Sequence, residues 1–230
     1  MRRPRSPDTG LASLLVALLV ASLLAACSDD EGATPPTTLP AGFEADRCLV
    51  RVHGRTETGA PPEQRDGYAV LSPTGNAREG DGHEWVYDTD EHAEEALTQV
   101  REAVDAAGCE RVVLHGFSNG GGFVGALVCS GEDLDGRLVG AVIDDPVPDE
   151  GVVDCRRADG VDAALYWTGA LTEAEPGADC DEIHWTCQGD VLLGIDAYAD
   201  ALGVEVQPSP HDEHVWYDGA PEVEGWLVQG

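Results

Sequence analysis

The sequence contains no lysine: its thirteen Lys+Arg positions are all arginine, against 44 aspartates and glutamates, for a formal charge of −31. A surface so anionic repels nucleic acid and acidic headgroups, which argues against any nucleic-acid partner. Seven cysteines are present, yet no Cys-x-x-Cys occurs and no spacing matches a zinc pair, so a dithiol redox motif and a cysteine-held metal are both excluded. No internal repeat is evident, and no insertion is long enough to form a separate lid. Asp88-Thr-Asp90-Glu-His92 opens like a calcium loop. It then fails, with Ala93 where the sharp turn needs glycine and Gln99 where a bidentate glutamate belongs. The expectation is no metal and no cofactor.

One long apolar run is present. Arg2, Arg3 and Arg5 precede Leu11–Ala26, the pattern of a secretory signal rather than a membrane span. Its end, Leu24-Ala25-Ala26-Cys27, resembles a bacterial lipoprotein signal, which implies cleavage before Cys27 and lipidation of that thiol. From Ser28 to about Asp46 the chain is mostly Ser, Asp, Glu, Gly, Thr and Pro, the composition of a solvated tether. Roughly 185 residues remain, enough for one domain with one core.

The six cysteines after Cys27 form an even set in a chain that carries an export signal, which argues for disulfides. Cys48 and Cys109 each stand just upstream of an apolar strand ending in His-Gly. If those strands are parallel neighbours, the two cysteines meet at one sheet edge. The expected pairs are Cys48–Cys109, Cys180–Cys187 as a tight local loop, and Cys129–Cys155 by elimination.

Short apolar strands alternate with helical stretches, the habit of a parallel sheet with crossover helices. Strands are expected at Cys48–Val52, Tyr68–Ser72, Arg111–His115, Val139–Ile143, Ala163–Trp167 and Val204–Gln207. A helix is expected from about Glu91 to Ala107, capped by Asp90, striped by Leu97, Val100 and Val104, and ended by Gly108. Others follow at Gly120–Cys129, near Gly189–Leu202, and from Pro221, where Trp226 and Leu227 lie.

The most informative stretch is Arg111-Val-Val-Leu-His-Gly-Phe-Ser118-Asn-Gly-Gly-Gly122, an apolar strand running through Gly-x-Ser-x-Gly into a small-residue helix. A serine hydroxyl is a poor nucleophile until it is lifted clear of the backbone and given a base. A sharp strand-to-helix turn does the lifting, and Gly116 and Gly120 leave room for it. The following helix aims its N-terminal N–H groups toward the place where an oxyanion would form. Ser118 is the candidate nucleophile.

The order Val52-His53-Gly54, then Gly116-Phe-Ser118-Asn-Gly120, then a histidine near the C-terminus resembles the α/β-hydrolase superfamily over nearly all of the mature domain. Trp85-Val-Tyr-Asp88 and His-Gly-Phe-Ser-Asn-Gly-Gly resemble its phospholipase/carboxylesterase branch. The resemblance implies a reduced α/β-hydrolase fold, α/β in class, with a mainly parallel sheet of about six strands flanked by helices and no separate lid. The chain then divides into a signal peptide at 1–26, a lipid-anchored flexible linker at 27–46 and a hydrolase domain at 47–230.

The resemblance places the catalytic base after the last strand, where Ser209-Pro-His211-Asp-Glu-His214-Val-Trp216 offers two histidines. His214 is preferred, because an aromatic residue follows it closely and Pro210 restricts His211. The acid that orients the imidazole is expected after Ala163–Trp167, where Glu173 replaces the usual aspartate; Asp144, Asp145, Glu175, Asp179 and Asp181 remain open. The oxyanion hole falls to the main-chain amides of Asn119 and Arg55. His53 and His115 end strands and read as core or rim histidines. Phe117, Trp85, Tyr87, Trp167, Trp185 and Trp216 fall near the serine, where an apolar pocket could use them.

These residues make the expected protein an exported, membrane-anchored serine esterase. It would act as a monomer on a small-molecule or envelope ester or thioester, with the lipid as its membrane contact. The alternative is a lipoprotein that keeps the fold to bind a ligand or partner without catalysis.

Overall fold

The computed structural model describes residues 45–65, 67–146, 155–168, 191–209 and 221–228. Its elements, in chain order, are β1 (Arg47–Val52), β2 (Ala60–Arg65), β3 (Tyr68–Ser72), β4 (Ala77–Glu79), β5 (Gly82–Glu84), α1 (Asp90–Ala107), β6 (Arg111–Phe117), α2 (Asn119–Ser130), β7 (Leu138–Asp144), β8 (Asp162–Trp167), α3 (Val191–Leu202), β9 (Val206–Pro208) and α4 (Pro221–Val228). Seven strands form one sheet in the order β2-β3-β1-β6-β7-β8-β9, and β4 and β5 form a separate antiparallel hairpin.

All pairs within the large sheet are parallel except β2 with β3. All six expected strands are present, and β2 is a seventh that the sequence reading did not anticipate. Its sequence, Ala-Pro-Pro-Glu-Gln-Arg, is polar and carries two prolines that can donate no ladder bond, which confines it to an edge.

The central strands are apolar on both sides because both sides are covered. Val50, Leu71, Leu114, Ile143 and Leu165 face a core shared with α1, α2 and α3. Leu49, Val70, Val113, Val142 and Ala164 face the opposite side, where Val223 and Leu227 of α4 close the layer. A register shift in β7 skips Val139 and puts Gly140 opposite Val113. A Cβ on Gly140 would run into the Trp226 indole, so the missing side chain is what lets α4 seat there. Arg111 fastens the same helix, donating to the Trp226 carbonyl at 2.8 Å.

Helix α1 starts one residue earlier than expected, and its cap is Thr89 rather than Asp90. Thr89 is extended (φ −135°, ψ 158°), and its hydroxyl accepts the His92 N–H at 3.2 Å. Gly108 ends the helix in the left-handed region at φ 70°. Two disulfides lie at the sheet's N-terminal edge. Cys48–Cys109 ties β1 to the turn after α1, and Cys129–Cys155 ties the last turn of α2 to the segment leading into β8. They close 61 and 26 residues of chain, which by loop entropy corresponds to about 3–4 kcal/mol each. Cys27, Cys180 and Cys187 lie outside the described residues.

Candidate functional site

Strand β6 delivers Ser118 to the sheet's C-terminal edge, and α2 departs from the next residue. Ser118 sits at φ 53°, ψ −118°, a conformation that non-glycine residues rarely adopt and that stores strain. The surroundings hold it there. The Ser118 N–H donates to the Asp144 carbonyl at 2.9 Å, and the Ser118 carbonyl accepts the Gly122 N–H at 3.0 Å. The hydroxyl itself makes no capping bond to the helix.

The glycines are needed for close backbone approach. A Cβ on Gly116 would strike the Gly120 carbonyl, and one on Gly120 would strike the carbonyls of Val52 and His53. This second approach packs the start of α2 against the end of β1. It also brings the turn after β1 beside Ser118: a Cβ placed on Gly54 would lie 3.5 Å from the Ser118 Cβ and 3.2 Å from the Phe117 ring.

That turn contains Arg55. The Glu57 N–H reaches the Gly54 carbonyl at 3.4 Å, and Thr56 takes φ 66°. The Arg55 side chain pairs with Glu79 at 2.8 Å and Glu84 at 3.0 Å, both on the β4–β5 hairpin. His83 adds a main-chain bond to the Glu57 carbonyl at 2.7 Å. The hairpin thus lies against the turn that would supply one oxyanion donor. The Asn119 amide would supply the other. As the first residue of α2 it has no carbonyl within its own helix to donate to.

His53 is buried, with Nδ1 2.7 Å from the Gly54 carbonyl and Nε2 3.0 Å from the Gly75 N–H. That pattern requires the neutral ring, with the proton on Nδ1 and a lone pair on Nε2. Burial pushes its pKa below the usual histidine value, and the charge of Arg51 acts in the same direction. His53 is therefore a structural histidine joining two turns.

His115 is also buried, 3.8 Å from the carboxylate of buried Asp144. Asp145 takes φ 44°, and its carboxylate accepts the Thr168 N–H at 2.7 Å, capping the end of β8. The described candidates for the acid thus stand at the end of β7, next to the elbow. Glu173, Glu175, Asp179 and Asp181, both candidate bases His211 and His214, and the aromatics Trp185 and Trp216 lie outside the described residues.

Among the described aromatics, Trp85 fills core rather than lining an open pocket. It stacks on Phe123 with ring centroids 5.1 Å apart and lies 5.4 Å from the His53 ring. Tyr87 packs on the same Phe123, and Trp167 is buried in the main core. Phe117, the residue before Ser118, is partly exposed beside Gly54.

Sequence reasoning missed the side chains of Asn76 and Asn119, the only two asparagines in the chain. Asn119 brackets the main chain of Trp85: its Oδ1 accepts the Trp85 N–H at 2.7 Å and its Nδ2 donates to the Trp85 carbonyl at 3.0 Å. Asn76 does the same to the next residue, with the Val86 N–H at 2.8 Å and the Val86 carbonyl at 3.0 Å, and also reaches the His92 carbonyl. Only the scarcity of asparagine could have drawn attention to them.

No family model matches this chain, and no curated protein matches it. Solved structures with a similar course include the esterase Pf2001 of Pyrococcus furiosus, 12% identical, covering 80% of this chain and 84% of its own, with a TM-score of 0.46. A protein of unknown function from Agrobacterium tumefaciens is 16% identical, with 81% and 92% covered and a TM-score of 0.43. MGS-M1, an α/β hydrolase enzyme from a Medee basin deep-sea metagenome library, is 14% identical, with 80% and 86% covered and a TM-score of 0.40. The strand order and parallel pairing define the fold of this chain independently of them.

Proposed function

We propose that this chain is an exported serine hydrolase of the α/β-hydrolase type, cleaving a carboxylic ester or thioester, held at the membrane by a lipid on Cys27. The observation that carries the reading is Ser118 held at positive φ between β6 and α2, with the turn after β1 packed beside it. Backbone strain of this kind costs on the order of 1–3 kcal/mol, and a fold that needed only a strand-to-helix connection would have no use for it.

In this mechanism Ser118 Oγ attacks the carbonyl carbon while His214 takes its proton. Glu173 keeps the imidazole in the correct tautomer and stabilises the imidazolium; the alternatives are Asp144 and Asp145 at the end of β7 and Glu175, Asp179 and Asp181 further on. The N–H groups of Asn119 and Arg55 donate to the oxygen as it becomes an oxyanion. The tetrahedral intermediate collapses, the C–O or C–S bond breaks, and the leaving group departs with the proton from His214. Water then attacks the acyl-enzyme while His214 takes its proton, and the second tetrahedral intermediate collapses with that proton passing to Ser118 Oγ, releasing the acid and restoring the serine. Nothing in the cycle requires a cofactor.

The test is turnover of p-nitrophenyl acetate and butyrate by the purified full chain beside Ser118→Ala, kept oxidised and assayed at low and high salt. Turnover is expected to vanish in the alanine variant, and a fluorophosphonate probe is expected to label the wild type alone. Equal background rates, with no labelling of a folded wild type, would leave a ligand-binding lipoprotein as the better reading.

A further inference from the structure

Both residues assigned as oxyanion donors are touched by the same short segment, Gly75–Trp85, although they come from different parts of the chain. On one side the Gly75 N–H meets His53 Nε2 at 3.0 Å, while His53 Nδ1 holds the Gly54 carbonyl that precedes Arg55. Arg55 itself pairs with Glu84 in the same segment; being largely exposed, that pair contributes little energy and serves mainly to fix direction. On the other side the Asn119 carboxamide grips both main-chain polar groups of Trp85. Trp85 is in turn packed on all sides: it is 1% exposed, stacked on Phe123 and close to His53.

A short side chain whose two polar atoms are fixed to a rigid main chain has no rotational freedom left. Its own backbone, one bond away, is then fixed as well. Asn119 is the first residue of α2, where the helix ladder does not hold the N–H. From this geometry we infer that the Asn119 side chain is the positioning residue of the oxyanion hole, setting its own N–H against the turn of Arg55 through the shared segment. The inference rests on the hydrolase reading and adds a role to a residue that reading used only for its main chain.

An oxyanion donor acts on the transition state far more than on bound substrate, so loss of its alignment lowers kcat and leaves KM in place. Asn119→Leu keeps size and the N–H but makes neither bond to Trp85. The expected result is kcat for p-nitrophenyl acetate down about 10- to 100-fold, with KM within about twofold. The matching thionoester develops its charge on sulfur, a weak acceptor, and gains less from the hole. The preference for ester over thionoester should therefore shrink in the variant by a similar factor. Asn119→Asp still accepts the Trp85 N–H and should lose less, which also guards against a leucine variant that does not fold.

Thr89→Ala is the control, because it removes the hydroxyl that caps α1 and lies outside Gly75–Trp85. It should lower Tm and leave the ester-to-thionoester preference unchanged. An Asn119→Leu enzyme with wild-type kcat overturns the inference. So does a fall in kcat matched by an equal fall in the fraction of titratable active sites, or a Thr89→Ala enzyme with the same loss of preference. A wild type without Ser118-dependent turnover removes the hydrolase reading and this inference together. Turnover that needs Ser118 but ignores Asn119 removes this one alone.

Discussion

At the scale of single residues, His53 shows how a histidine can be fixed in one state by what surrounds it. One nitrogen donates, the other accepts, and the ring is buried, so the folded protein holds it neutral. Its folded pKa lies below the value of about 6.5 expected in the unfolded chain. Below that pH the unfolded state binds more protons than the native state does. The stabilisation is therefore complete above about pH 6.5 and is lost as pH falls toward the folded pKa. His92 works in the opposite sense: its bond to Asp88 raises its pKa, so what it contributes is present at low pH and fades as pH rises. Urea unfolding between about pH 7.5 and 5.5 should show the wild type losing stability as pH falls through the region where His53 would charge in the unfolded chain. His53→Gln, less stable at neutral pH, should lack that part of the slope. Parallel pH profiles for the two proteins would mean that burial and the bond from Gly75 do not hold the His53 ring neutral.

At the scale of elements, the elbow depends on two main chains lying closer than any side chain permits. The end of β1 and the start of α2 touch at Gly120, where a methyl group would meet two backbone carbonyls that cannot rotate away. Gly120→Ala should therefore cost about 3 kcal/mol, well beyond the usual effect of a methyl group in a helix. The check is the urea midpoint; a change below about 1 kcal/mol would mean that β1 and α2 can separate at little cost. This same constraint is why the strained turn at Ser118 was legible in the sequence, since such a turn has to be written in glycine. The doubly covered strands were legible too, because Leu49-Val50 and Val112-Val113-Leu114 must be apolar on consecutive residues to serve two faces. Edge elements carry no such signature: β2 is polar and proline-containing, and β4 and β5 are three residues each. The Thr89 cap was displaced by one residue because an adjacent threonine and aspartate are equally able to cap, and only the backbone angle decides. Asn119 and Trp85 are 34 residues apart, and no local pattern announces a side chain that pairs with a distant main chain.

At the scale of the whole molecule, the fold separates its two ends. The two disulfides among the described residues fasten the N-terminal edge of the sheet, and the strained serine occupies the other. The charge is shared by the entire surface. Arginine is the sole fixed cation, and several arginines are already committed: Arg101 to Glu94 and Glu132, Arg137 to Asp105, and Arg55 to Glu79 and Glu84. Even with every arginine paired, an excess of 31 negative charges would remain, repelling one another across a small domain. Added salt weakens attraction and repulsion alike, but the exposed pairs are individually worth about 0–1 kcal/mol while the unpaired carboxylates are far more numerous. Repulsion is therefore the larger loss, and screening it should raise stability. The expected outcome is a Tm that climbs as sodium chloride rises from about 0.01 M to 1 M, most steeply at the low end where the Debye length shrinks from about 30 Å to 10 Å. Sulfate would raise Tm in any protein through exclusion from its surface, so chloride at low ionic strength is the discriminating condition. A Tm that falls over that range would mean that the arginine pairs, few as they are, outweigh the repulsion of all the rest.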